Sequence, residues 1–215
     1  MKRKLFILIL LCISVASFAQ DSTSTFIKTK FKGNIYEFFG KQISYPMPLA
    51  MNGIQGNVIV SFHLNADGVL DSIDFISFPH VQMAQDVAQV LQKTQNLWTP
   101  TVMNGQNVPY RYKLVVKYAL YSDEPPSKSE SFVLKEKAEK KFKKGKLEDA
   151  LKLIDKAILI DPYITDFYYL RSQIYKSKNE NEKSDEDYKT AQNLDKEIMA
   201  IITIVGWQHI QTVRY

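Results

Sequence analysis

The chain has 215 residues, 45% hydrophobic and 24% charged, which excludes wholesale disorder; with only eight glycines and eight prolines it is not collagen-like or proline-rich either. Its formal net charge is +5, three of it in Lys2, Arg3 and Lys4, so the remainder carries +2 and gives little support to a nucleic-acid or anionic-membrane partner. One cysteine, Cys12, excludes an intrachain disulfide and a cysteine-based zinc site, and His63, His80 and His209 have no i, i+4 metal spacing.

The N-terminus has the three parts of a secretory signal. Lys2, Arg3 and Lys4 precede the apolar run Leu5 to Val15, and the small residues Ser17 and Ala19 precede Gln20. The run is shorter than the roughly 20 residues that span a bilayer. Residues 1–19 are therefore expected to be removed on export, which in a two-membrane bacterium means the periplasm. The alternative is an uncleaved anchor.

Residues 33–121 read as one α+β unit. A short helix is expected around Ile35 to Lys41. NVIVSFHL alternates, with Val58, Val60, Phe62 and Leu64 on one face, and predicts a half-buried strand. Asn65-Ala66-Asp67-Gly68 is a turn, and a second strand runs Val69 to Ser77. The period then becomes helical: Met83, Val87, Val90, Thr94 and Leu97 form one stripe, ended by Trp98 and Pro100. After the Asn104-Gly105 turn comes the last strand, Arg111 to Tyr121. Tyr112, Leu114, Val116, Tyr118 and Leu120 point one way; Arg111, Lys113, Val115 and Lys117 point the other. The order is β-β-α-β. A terminal strand exposes unpaired N–H and C=O groups that an extended peptide can satisfy, so Arg111, Lys113, Val115 and Lys117 are the expected partner-binding edge. Its basic side chains favour acidic ligands, or else act as solubilising gatekeepers.

Ser122 to Glu130, SDEPPSKSE, reads as a linker. Residues 131–195 are helical. Ala138 and Ser172, Ala150 and Ser184, Ile154 and Tyr188, Ala157 and Ala191 are each 34 apart, which is the tetratricopeptide period. With the turn residues Gly145 and Asn179, these two segments resemble tetratricopeptide repeats. That resemblance implies a peptide groove, for which Lys141, Tyr168 and Tyr175 are the expected contacts. The lysines from Lys135 to Lys146 either attract acidic tails or form a solvated face. In residues 196–215, Ile198, Ile201, Ile202 and Val205 fit a helical stripe that caps the second repeat, with Gly206 breaking the helix; otherwise the stripe docks a partner together with Trp207 and Tyr215.

Ile43-Ser44-Tyr45-Pro46, Ile54-Gln55-Gly56-Asn57-Val58, Ala66-Asp67-Gly68, Trp98-Thr99-Pro100 and Asn104-Gly105-Gln106-Asn107-Val108, in this order, resemble the C-terminal domain of the TonB family of energy transducers. The resemblance implies binding of an outer-membrane receptor by strand addition to the last strand. Two departures bear on it. The N-terminus reads as cleavable, and Asp21 to Lys41 contains no proline and so no stiff spacer; at about 3.5 Å per residue it is too short to cross a periplasm. Peptide binding survives both departures, while direct force transduction needs the uncleaved anchor.

No catalytic set is expected: no Ser/His/Asp context and no phosphate loop occur, His80 suits packing or a cap, and Asp71 and Asp74 suit a solvated strand face. The expectation is a non-enzymatic periplasmic adaptor without cofactor or metal. Its partner would be an outer-membrane receptor or periplasmic protein, not nucleic acid, and it would meet a membrane only through that partner or an uncleaved N-terminus. An anchored transducer and a structural part of an envelope assembly are the alternatives.

Overall fold

The computed structural model describes residues 24–121 and 128–207. The expected signal segment with Cys12, residues 122–127 of the expected linker, and His209 and Tyr215 lie outside that range.

The first unit opens with β1 (Phe26–Ile27) and α1 (Ile35–Gln42), whose cap Asn34 accepts hydrogen bonds from the Tyr36 and Glu37 amides. After α2 (Met47–Met51), β2 (Gly56–Leu64) and β3 (Leu70–Ser77) form an antiparallel hairpin. Its turn is held by Asn65, whose side chain accepts from the Asp67 and Val69 amides. Gly68 sits at φ +78°, where an added Cβ would lie 2.9 Å from the Thr99 carbonyl carbon. His80 caps α3 (Val81–Gln92), its Nδ1 accepting from the Gln82 amide, which is the capping role expected for it. β4 (Thr101–Met103) and β5 (Gln106–Val108) fold about Asn104 and Gly105, both at positive φ, and β1 joins them as a small sheet. The long strand is β6 (Tyr110–Tyr121).

Four helices follow: α4 (Glu130–Lys143), α5 (Leu147–Ile160), α6 (Thr165–Ser177) and α7 (Asn181–Glu197). They make two hairpins whose turns place Gly145 at φ +69° and Asn179 at φ +61°, the positions 34 residues apart in the sequence. Ala138, Ala150, Ile154, Ala157, Phe167 and Ile174 are buried between them. The small residues allow close helix approach, and Phe167 fills the space that remains.

The α+β class is as expected, but the end of the chain is not. Residues 198–207 form no capping helix. They form β7 (Ile198–Trp207), and the main sheet has the order β3-β2-β6-β7, with β7 parallel to β6. Parallel neighbours require a crossover connection; here the crossover carries all four helices. Ala200, Ile202 and Ile204 bury against the core with Val60, Leu114 and Val116, while Thr203, Val205 and Trp207 face outward and are exposed. The same apolar run satisfies a helical stripe and a period of two, and a ten-residue apolar segment does not separate them. The unpaired flank of β6 decides. Gly206 does not break a helix: it lies where the Tyr45 ring packs, and a Cβ there would come within 2.6 Å of that ring.

Candidate partner-binding edge

β6 was expected to be the open edge. It is an interior strand. On one side it pairs with β2 from Gly56↔Tyr118 to Leu64↔Tyr110, and on the other with β7 from Lys113↔Ile198 to Tyr121↔Trp207. The flank is closed because β7 offers unbonded backbone and a matching apolar face, and an exposed strand edge beside a buried sheet face is costly to leave open.

The four expected edge residues share the outer face but are not free. Arg111 is paired with Asp74 on β3. The Lys113 ammonium donates to Glu197 at the end of α7 (2.7 Å), and that of Lys117 to Asp161 after α5 (2.8 Å). Asp161 also accepts from the Ser131 hydroxyl. Val115 is buried between Ile59 and Ile201 in the ladder. The basic side chains are thus neutralised from within the chain, and the expected attraction for acidic ligands loses its basis. Asp71 and Asp74 are exposed, in keeping with a solvated strand face, and pair there with His63 and Arg111.

Several groups that shape this edge were missed in the sequence. Tyr45 stacks edge-to-face on Tyr118 (centroids 5.3 Å apart) and donates its hydroxyl hydrogen to the Ile54 carbonyl. The Lys28 ammonium donates to the Asp195 and Ile198 carbonyls, 2.6 Å each, tying the start of β7 to the N-terminal segment. Burial holds the Lys28 pKa below the ordinary lysine range, against an opposing pull from Asp195. These contacts span up to 170 residues of chain, which no local pattern encodes. The alternation from Ala200 to Gly206 was the one readable signal.

Along its other side, β7 forms no strand ladder among the described residues. Beside its first half lies a cleft of about 460 Å³, lined by Tyr36, Lys117, Phe132, Asp161, Ile201 and Thr203 among others.

In the helical unit, Tyr168 and Tyr175 flank Arg171, whose guanidinium carbon lies 5.5 and 6.0 Å from their ring centres. Tyr168 donates to the Pro162 carbonyl. Lys141 pairs with Asp149 instead, so the expected groove residues do not converge through any hydrogen bond or ion pair among the described residues. No cluster of three metal-ligating side chains occurs among the described residues, and no described helix is long and apolar enough to cross a membrane.

Residues 41–120 match the family model described as Gram-negative bacterial TonB protein C-terminal. Such domains belong to the envelope of Gram-negative bacteria, where they interact with proteins such as outer-membrane receptors and are linked to transport. The match begins within α1 and ends at Leu120; α4 to α7 and β7 lie outside it. No curated protein matches the chain.

Proposed function

We propose that this chain is a non-enzymatic adaptor of the envelope, linked to outer-membrane transport, that recognises an extended segment of a partner protein by strand addition along the second flank of β6. One observation carries the reading: that flank accepts a strand over nine register pairs, although the strand is the chain's own. The TonB-like region supports an outer-membrane receptor or a periplasmic protein as partner. In this reading the two helical hairpins are tetratricopeptide-like repeats that scaffold a second protein, residues 1–19 direct export to the periplasm, and neither cofactor nor metal takes part.

Affinity capture from a Gram-negative envelope extract, with the tagged full chain as bait, should recover a receptor or periplasmic partner. Crosslinks should map to residues 110–121 or 198–207. Capture of nothing specific, or crosslinks confined to α4–α7, would overturn strand addition as the mode. N-terminal sequencing of the exported bait should start at or near Gln20; a retained Met1 would favour the anchored transducer.

A further inference from the structure

We propose that β7 is a tethered stand-in for the partner's strand, so that its own residues spell out the kind of segment the β6 flank takes. The inference rests on the strand-addition reading above and adds to it the ligand's chemistry and the means by which the site is held shut.

Three observations carry it. The TonB-like match ends at Leu120 and does not include β7, so the matched unit finishes its sheet at β6. β7 returns to that sheet only after four helices that belong to another packed unit. And β7 pairs with one strand only: among the described residues no strand ladder forms along its other side, and beyond the β6 ladder its backbone is held at Ile198, whose carbonyl accepts from Lys28. A strand paired through a single ladder is the element of a sheet that another strand can replace, because a replacement restores the same hydrogen bonds.

The register gives the code. Ala200 lies opposite Leu114, Ile202 opposite Val116, Ile204 opposite Tyr118 and Gly206 opposite Leu120. The replacing segment must run parallel to β6 and present a small residue, two β-branched residues and a glycine at alternate positions. The glycine is demanded by the Tyr45 ring and Leu120, which stand 2.6 and 2.8 Å from any added Cβ. A charge at an inward position would be buried without a partner. An acidic residue three positions before the small one would reproduce the pairing of Glu197 with Lys113. At the outward positions of Thr203, Val205 and Trp207, which are exposed, side-chain identity is free. The ligand is therefore an apolar, β-branched segment led by an acid, rather than an acidic peptide. Because β7 is tethered, it competes at high effective concentration, and free ligand binds with an affinity reduced by the fraction of chains in which β7 is out.

The test uses the full chain and a fluorescent peptide with the sequence of residues 197–207 behind a solubilising tail. Two variants bracket the wild type. In Ala119→Cys with Val205→Cys, register partners on the outer face, a disulfide fits the spacing of neighbouring strands and locks β7 in place. In Gly206→Val, the added side chain meets Tyr45 and loosens β7. Peptide binding should rise about tenfold over wild type in the loosened variant, vanish in the oxidised double-cysteine protein and return on reduction. A peptide with aspartate at the position of Ile202 should not bind. Equal binding by the oxidised and reduced forms, or none by the loosened variant while hydrogen exchange shows its β2 and β6 still protected, overturns the proposal. Since the reduced and oxidised forms are one protein, the comparison holds even if Gly206→Val misfolds. Envelope capture by the locked form at the wild-type level would sink the stand-in and leave the adaptor standing; capture by no form, with peptide exchange intact, would do the reverse.

Discussion

Arg171 on α6 binds α7 within the second helical hairpin and reaches α5 of the first. Its Nε and Nη2 donate to the two carboxylate oxygens of Asp187 at 2.7 and 2.8 Å, and its Nη1 to Asp155 at 2.8 Å. The carboxylate of Asp187 is nearly buried. Hydrogen bonding to Asp187, opposed by burial and aided by Asp155, raises the pKa of Arg171 above its ordinary value, so the guanidinium stays charged at every working pH. Arg171→Met should destabilise the chain by about 3–5 kcal/mol, because it strands a buried carboxylate; adding Asp187→Leu should recover most of that loss in urea titration. An equal deficit in the double variant would mean that packing, not charge, holds the hairpins. In the sheet, the hydroxyl of Tyr118 is buried without a hydrogen-bond partner among the described residues. Burial, with lesser contributions from Asp86 and Tyr45, pushes its pKa far above the ordinary tyrosine value. Tyr118→Phe removes an unpaired polar group and keeps the shape, so it should leave stability unchanged or raise it by up to about 1 kcal/mol. A loss larger than that would reveal a partner for the hydroxyl.

At the scale of the element, the question is what keeps β7 in the sheet. The pair Lys113–Glu197 is about one-third exposed on each side, and such pairs contribute about 0–1 kcal/mol. Burial of Ile202 and Ile204 outweighs it, since truncating a buried isoleucine costs about 2–5 kcal/mol. Ile202→Ala should therefore speed amide exchange across β7 far more than Lys113→Ala, and 1 M salt should leave that exchange almost unchanged. Release of β7 by salt alone would show that charge holds it. The same contrast explains what the sequence hid. β2, β3, α3 and β6 were legible because alternation or a helical stripe ran with turn signals at both ends. The charges on the outer face were legible as charges, but their partners were not: Asp74, Glu197 and Asp161 come from three other parts of the fold.

For the whole molecule, a helical unit is inserted between two neighbouring strands, so the chain cannot be divided at the linker into a sheet domain and a free helical domain. Closing β6 with β7 brings together segments separated by all of α4 to α7, a non-local pairing that should form late in folding. If a protease site is engineered between Ser122 and Ser127 and cut, the two pieces should stay together in gel filtration, because β7 remains zipped to β6. Fragments that separate without denaturant would show that the ladder needs its covalent crossover.

Local residue order by itself determined the alternating strands, the amphipathic helices and the left-handed turn positions at Gly145 and Asn179. Each of these depends on a side-chain period or on a single residue's backbone freedom, and both are written in neighbouring residues. Only the tertiary structure decided that Ile198–Trp207 is a strand and that the basic face of β6 is neutralised. An apolar run of that length suits a helix or a strand equally, and the choice is made by whichever distant surface offers it hydrogen bonds and a core to fill.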